Sequence, residues 1–245
     1  MEKTAARAIS YAGSAKGRGG QTLIRLLENA TGRPGLLRRA RGYDAQVGQG
    51  SDLWDVLSGR FGLSLDILRG SMDAIPATGP LIVVANHPYG ILDGLTLGRM
   101  LSQRRGGDFR VLANSVFNRA AGIERFILPI NFDDTRDAVA QNIATRRAAL
   151  DYLAGGGAIG VFPGGTVSTS ARPLGQPLDP VWRNFTAKMI AATGATVVPV
   201  FFDGTNSRVF QMASHLHASL RLGLLIREFR ARVDRPVRVV IGNPV

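Results

Sequence analysis

One histidine stands out among the residues able to do chemistry. His87 lies in the string Asn86-His87-Pro88-Tyr89-Gly90-Ile91-Leu92-Asp93-Gly94, directly after the apolar run Leu81 to Ala85. An imidazole held by a carboxylate works as a general base near neutral pH. Asp93, with five residues between it and His87, is the carboxylate at hand. A plainer reading uses the same residues: a histidine in a Pro/Gly turn, and an aspartate that only caps the next helix.

Other chemistries find little support. The chain has no cysteine, so thiolate nucleophiles, disulfides and cysteine metal sites are excluded. Gly155-Gly156-Gly157-Ala158-Ile159-Gly160 matches a dinucleotide string, but it leaves a helix and enters a strand, the reverse of what that motif needs. Gly160 to Thr166 has P-loop spacing without the lysine, and no G-x-S-x-G elbow occurs. His215 and His217 are two apart and diverge on a helix, so no metal is expected.

The elements that must position His87 follow from hydrophobic patterning. Short apolar runs at 63–68, 81–85, 109–113, 126–130, 158–162, 196–202 and 237–241 read as strands. Helical spacing covers 21–29, 52–60, 93–103, 183–193, 209–216 and 220–231. It also covers a long segment capped by Asp134 or Thr135, with the stripe Val139, Ile143, Leu150 and Leu153 ending at Gly155. The alternation predicts an α/β fold: a mixed, mostly parallel sheet flanked by helices, with a small N-terminal helical region. The expected division is 1–61, a tail and helices able to touch a membrane, and 62–245, the α/β domain. His87, Pro163 and Asp203 each follow a strand, which points all three loops at one sheet edge.

The net charge of +12 favours a polyanion: nucleic acid, an anionic membrane or an acidic carrier protein. Nucleic-acid motifs and stacking aromatics are lacking, and the C-terminal arginines, Arg221 among them, read as a solvated face. No run is long enough to span a membrane, and Met1 to Gly20 reads as a loose tail without a secretory signal. Arg33 to Arg41 mixes leucines with arginines; it is either a surface that presses on lipid or a solvated basic helix end.

Four segments in fixed order resemble the glycerolipid acyltransferase superfamily (1-acyl-glycerol-phosphate acyltransferase-like), over residues 62–245. They are Asn86-His87-Pro88 with Asp93, Gly122 to Ile127, Val161-Phe162-Pro163-Gly164-Gly165-Thr166 and Val197-Val198-Pro199-Val200. The set is most similar to the hemolysin-like branch, which includes lyso-ornithine-lipid acyltransferases; Asp203 to Ser207 and Pro177 to Trp182 share that likeness. The resemblance implies acyl transfer from acyl carrier protein or coenzyme A to a lysolipid hydroxyl, without cofactor or metal. His87 is then the base and Asp93 its partner. Asn86, Pro88, Gly90, Arg125, Phe162, Pro163, Gly164, Gly165 and Thr166 form the substrate surface. Backbone N–H groups near Gly164 and Gly165, or at the start of the helix bearing Asp93, would stabilise the oxyanion.

Three departures accompany the likeness. One extra residue separates His87 from Asp93, Gly164 stands for a glutamate, and Val167 and Leu128-Pro129 stand where the family places arginines. Those arginines serve phosphate-bearing acceptors, so a neutral or amino-acid-headed lysolipid is expected, with Arg125 or Arg172 as a replacement cation. The implied location is peripheral, on the cytoplasmic face of the inner membrane. The alternatives are a 1-acyl-glycerol-3-phosphate acyltransferase, an inactive lipid-binding protein of the same fold, and, on charge alone, a nucleic-acid binder.

Overall fold

Leu81–Ala85 (β2) is apolar at every position, and the chain buries both of its faces. Such a strand belongs in the middle of a sheet covered on two sides. The computed structural model, which describes residues 9–15, 17–114, 122–131, 133 and 135–245, places it there.

Seven strands run in the order β1-β9-β8-β2-β5-β3-β4. They are β1 (Ser64–Arg69), β2, β3 (Phe109–Asn114), β4 (Ile127–Ile130), β5 (Ala158–Val161), β8 (Thr196–Phe202) and β9 (Pro236–Ile241). The run β8-β2-β5-β3-β4 is parallel throughout. β9 pairs antiparallel to β8 and parallel to β1, so the sheet is mixed at that edge alone. A two-stranded ribbon, β6 (Thr169–Ser170) with β7 (Pro177–Leu178), stands apart from the sheet. Its strands are too short to carry a readable alternation.

Period two decides which residues face which layer. Leu81, Val83 and Ala85 join the larger core, and Ile82 and Val84 join the smaller one. The smaller core lies under α6 (Arg136–Ala154) and α7 (Asn184–Thr193). The larger lies under α5 (Ile91–Arg105), α9 (Ala218–Arg230) and the N-terminal helices α2 (Arg33–Ala40), α3 (Tyr43–Gly48) and α4 (Leu53–Arg60), while α1 (Arg18–Thr31) packs against α9. The remaining helix, α8 (Arg208–Leu216), precedes α9.

Several expectations are corrected here. Residues 9–15 are not a loose tail: Ile9 and Ala12 are buried, and Glu28 of α1, fully buried, accepts from Ser10 Oγ at 2.7 Å and from the Tyr11 N–H at 2.6 Å. The leucines of α2 turn inward, Leu36 into the core and Leu37 against it, so that helix does not present them to lipid. On α6, Val139 and Ile143 are exposed, because this helix meets the sheet through Ala149 and Leu153 instead. Thr135 caps α6 by accepting from the Ala138 N–H at 3.1 Å; Asp134 lies outside the described residues. Among the described residues no helix is long and apolar enough to cross a membrane.

Candidate active site

β2 delivers His87 one residue beyond Asn86, and Asn86 ties the strand end to its neighbour. Its side chain donates to Phe202 O at 3.0 Å and accepts from the Phe202 N–H at 2.7 Å. The turn that follows must reverse within a few residues to open α5. Gly90 makes this possible at φ +88°, a region that strains any residue with a β-carbon. The extra residue between His87 and Asp93 is absorbed in that turn.

Asp93 therefore sits in the first turn of α5, with His87 Nδ1 at 3.0 Å from its Oδ2. The same oxygen accepts the N–H groups of Tyr89, at 2.7 Å, and Gly90, at 3.0 Å. Asp93 thus caps the helix and also faces the histidine. Its side chain is 0% exposed and that of His87 18%, so one end of the pair is sealed and the other reaches the surroundings. Burial pushes the Asp93 carboxyl above its ordinary pKa, and the contacts with His87, Tyr89 and Gly90 pull the other way. Asp93 Oδ1 is buried without a hydrogen-bond partner among the described residues.

Three further groups hold His87, one at its ring and two at its backbone. Phe162, at the end of β5, stacks on the ring with centroids 4.2 Å apart. Asp179 Oδ1 accepts the backbone N–H of His87 at 3.1 Å and also the Ser168 hydroxyl, while its Oδ2 accepts from Trp182 Nε1 at 3.2 Å. The Ser168 N–H donates to His87 O at 2.8 Å. Asp179 is the residue that spacing missed. A β-carbon at Gly164 would lie 3.2 Å from Pro180 and 3.4 Å from Asp179, so the segment carrying this carboxylate fills the space beside a residue with no side chain.

His87 opens on a cavity of about 580 Å³. Of the residues expected at the substrate surface, Gly90, Phe162, Pro163, Gly165 and Thr166 also line it. Asn86, Pro88 and Gly164 do not. Arg125 is exposed and lies over the Phe126 ring at 4.6 Å, away from the cavity, while its neighbours Ile123 and Ile127 reach it. Arg172 is exposed on the β6–β7 ribbon connection and is likewise no part of the lining. The cations that do line it are Arg183 and Arg221. The Gly165 N–H is taken by Phe162 O at 2.9 Å and the Ile91 N–H by the Tyr11 hydroxyl at 3.2 Å, so two of the expected oxyanion donors are already engaged.

Away from His87 the cavity is almost wholly apolar. It runs under the N-terminal helices to Ala40, Tyr43, Trp54, Leu57 and Phe61. Tyr11 closes it beside α5, and burial raises its phenol far above the usual range, so it stays neutral. Among the described residues no cluster of His, Asp or Glu is arranged to hold a metal.

A parallel sheet whose edge presents a histidine–carboxylate pair to a long apolar cavity suits the activation of a hydroxyl on a chain-like substrate. The sequence places the protein more closely: residues 64–233 match the acyltransferase family, and the chain belongs to it. It is 28% identical over 180 residues to a lyso-glycine lipid O-acyltransferase of Phocaeicola vulgatus, covering 71% of this chain and 62% of that protein. A lyso-glycine lipid O-acyltransferase of Bacteroides thetaiotaomicron is 29% identical over 188 residues, covering 71% and 64%. The chain thus spans less than two thirds of either relative. The crystal structure of the 1-acyl-sn-glycerophosphate acyltransferase from Thermotoga maritima superposes with a TM-score of 0.42 at 17% identity, over 96% of this chain and 74% of that one.

Proposed function

We propose that the protein is an O-acyltransferase that moves a fatty acyl group from a thioester, of acyl carrier protein or coenzyme A, to the hydroxyl of an amino-acid-headed lysolipid. The observation that carries this reading is the 3.0 Å approach of His87 Nδ1 to the buried Asp93 at the mouth of an apolar cavity. Asp93 keeps the imidazole proton on Nδ1, leaving Nε2 as the base. Nε2 takes the proton of the lysolipid hydroxyl as its oxygen attacks the thioester carbonyl carbon. The tetrahedral intermediate collapses, the C–S bond breaks, and the leaving thiolate takes the proton from the imidazolium. The new ester and the free thiol account for every atom, and no oxidant or reductant is needed.

The names of the two relatives support an acceptor of lyso-glycine-lipid type, and the cavity supports an acyl chain. With its net charge of +12, the protein would sit on the anionic surface where such lipids lie, attached without spanning. The test is transfer from palmitoyl-coenzyme A and palmitoyl-acyl carrier protein to a hydroxyacyl-glycine in mixed micelles, followed by mass spectrometry. A product heavier by one acyl chain is expected with the wild type and a background level with His87→Ala. Undiminished transfer by His87→Ala would refute the reading.

A further inference from the structure

We infer that Arg221 binds the head-group carboxylate of the acceptor lipid and so sets acceptor specificity, a role that rests on the acyltransferase reading above. Arg221 lies on α9, outside all four sequence blocks that mark the family, and by sequence it reads as one arginine of a solvated face. The fold turns it inward. Its side chain lines the His87 cavity between Ala218, Leu222 and Leu225. One guanidinium nitrogen donates to Val167 O at 2.7 Å; among the described residues no Asp or Glu lines the cavity and Arg221 has no ion-pair partner.

Arg221 is half-buried, and a cation partly withdrawn from water into an apolar wall is stabilised when an anion meets it. Here burial also lowers its pKa, and no carboxylate among the described residues opposes the effect. A guanidinium carries five N–H donors, and the Val167 carbonyl uses one direction of that fork. The others are suited to an oxyanion held by two parallel bonds.

The position relative to His87 selects the ligand. A single peptide group, Val167–Ser168, joins the two: its carbonyl accepts from Arg221 at 2.7 Å and its N–H donates to His87 O at 2.8 Å. Arg221 therefore lies no more than about 8 Å from the histidine backbone, given ordinary peptide and hydrogen-bond lengths. In an amino-acid-headed lysolipid only a few bonds separate the carboxylate from the acceptor hydroxyl. Such a molecule can reach both groups at once. Arg183 also lines the cavity, and its backbone N–H donates to Pro163 O at 3.2 Å.

The experiment compares a hydroxyacyl-glycine with its methyl ester, on the wild type, Arg221→Gln and Arg221→Lys. Glutamine keeps an N–H for Val167 O and loses the charge; lysine keeps the charge and loses the fork. For the free acid, Arg221→Gln should lower kcat/KM about 10- to 100-fold, mostly through KM, the range of a lost charged hydrogen bond. For the ester it should change little, and Arg221→Lys should fall between. Replacing the donor by palmitoyl-N-acetylcysteamine, which carries no phosphate, should leave this pattern intact; loss of the pattern would move Arg221 to the donor side and overturn the inference. Equal losses on acid and ester would make Arg221 a structural brace. Equal wild-type rates on acid and ester, or faster transfer to lysophosphatidic acid, would also overturn it. Absence of transfer to every acceptor would instead sink the acyltransferase reading itself.

Discussion

The cavity has two halves built on different principles. At the sheet edge, a few polar groups are held to within hydrogen-bonding distance: His87, Asp93, Asp179 and the backbone between them. Under the N-terminal helices, Trp54, Leu57 and Phe61 enclose space with ordinary apolar side chains and no fixed polar geometry. The first half depends on where atoms point, the second on how much volume is left. Substitutions in the first should therefore change rate at nearly constant stability. Those in the second should change stability and the length of chain accepted.

Asp93→Asn should show the first behaviour most strongly. An asparagine oxygen can still accept from Tyr89 and Gly90, so α5 should keep its cap. The imidazole loses its tautomer control, and by analogy with triad carboxylates the rate should fall about 10³- to 10⁴-fold. Stability should move the other way with pH. Because the folded Asp93 carboxyl titrates above its ordinary value, its contribution is fully present below that value and declines as pH rises through the folded pKa. Denaturation curves should thus show the wild type losing ground to Asp93→Asn from about pH 4 upward. A wild type that gains over the variant across that range would mean that the contact with His87 outweighs burial.

The same division explains what could be read from the chain. The sheet edge was legible because its chemistry needs particular residue types beside particular strands: the apolar run 81–85, then His87, Gly90 and Asp93. Every described strand of the seven-stranded sheet was similarly marked by apolar runs. Asp179 was not legible, because it reaches His87 across a ribbon of two-residue strands and its partners are 92 and 11 positions away. Arg221 was misjudged because composition counts a charge and cannot tell which side of a helix packs inward. The burial of Ile9, Ser10 and Ala12 was invisible for a related reason. It depends on Glu28, a lone acid that α1 carries into the core and whose partners lie 17 and 18 residues earlier.

In the apolar half, Trp54→Ala is the severe test. The indole is buried and packs against Phe109 and Phe126, with ring centroids 5.7 and 5.3 Å away. Its removal should cost about 3–5 kcal/mol in urea denaturation. Competition among thioesters of graded length should show preference moving toward longer chains. Trp54→Leu should shift both in the same direction by less. An unchanged length profile in a folded variant would remove this half of the cavity from chain selection. Glu28→Gln should rank below it, at about 1–3 kcal/mol, since it weakens the bonds to Ser10 and Tyr11 and removes the negative charge 3.8 Å from Arg33. Faster proteolysis within residues 9–15 would report the release of that segment.

Tyr11 stands where the two halves meet, and its substitution sharpens the boundary. The phenol comes from the N-terminal segment, yet its oxygen accepts the Ile91 N–H at the start of the helix that carries Asp93. A β-carbon on Gly90 would lie 2.9 Å from that oxygen, so the contact reaches the turn that brings His87 and Asp93 together. If Tyr11 acts only as packing and as a helix cap, Tyr11→Phe removes one hydrogen bond and should cost about 1 kcal/mol. Turnover should then stay within a few-fold of wild type, with an unchanged pH profile. If turnover falls as far as with Asp93→Asn while the melting curve barely moves, the phenol belongs to the chemistry. The boundary between a polar edge that reacts and an apolar half that measures would then have to be drawn on the far side of the N-terminal segment.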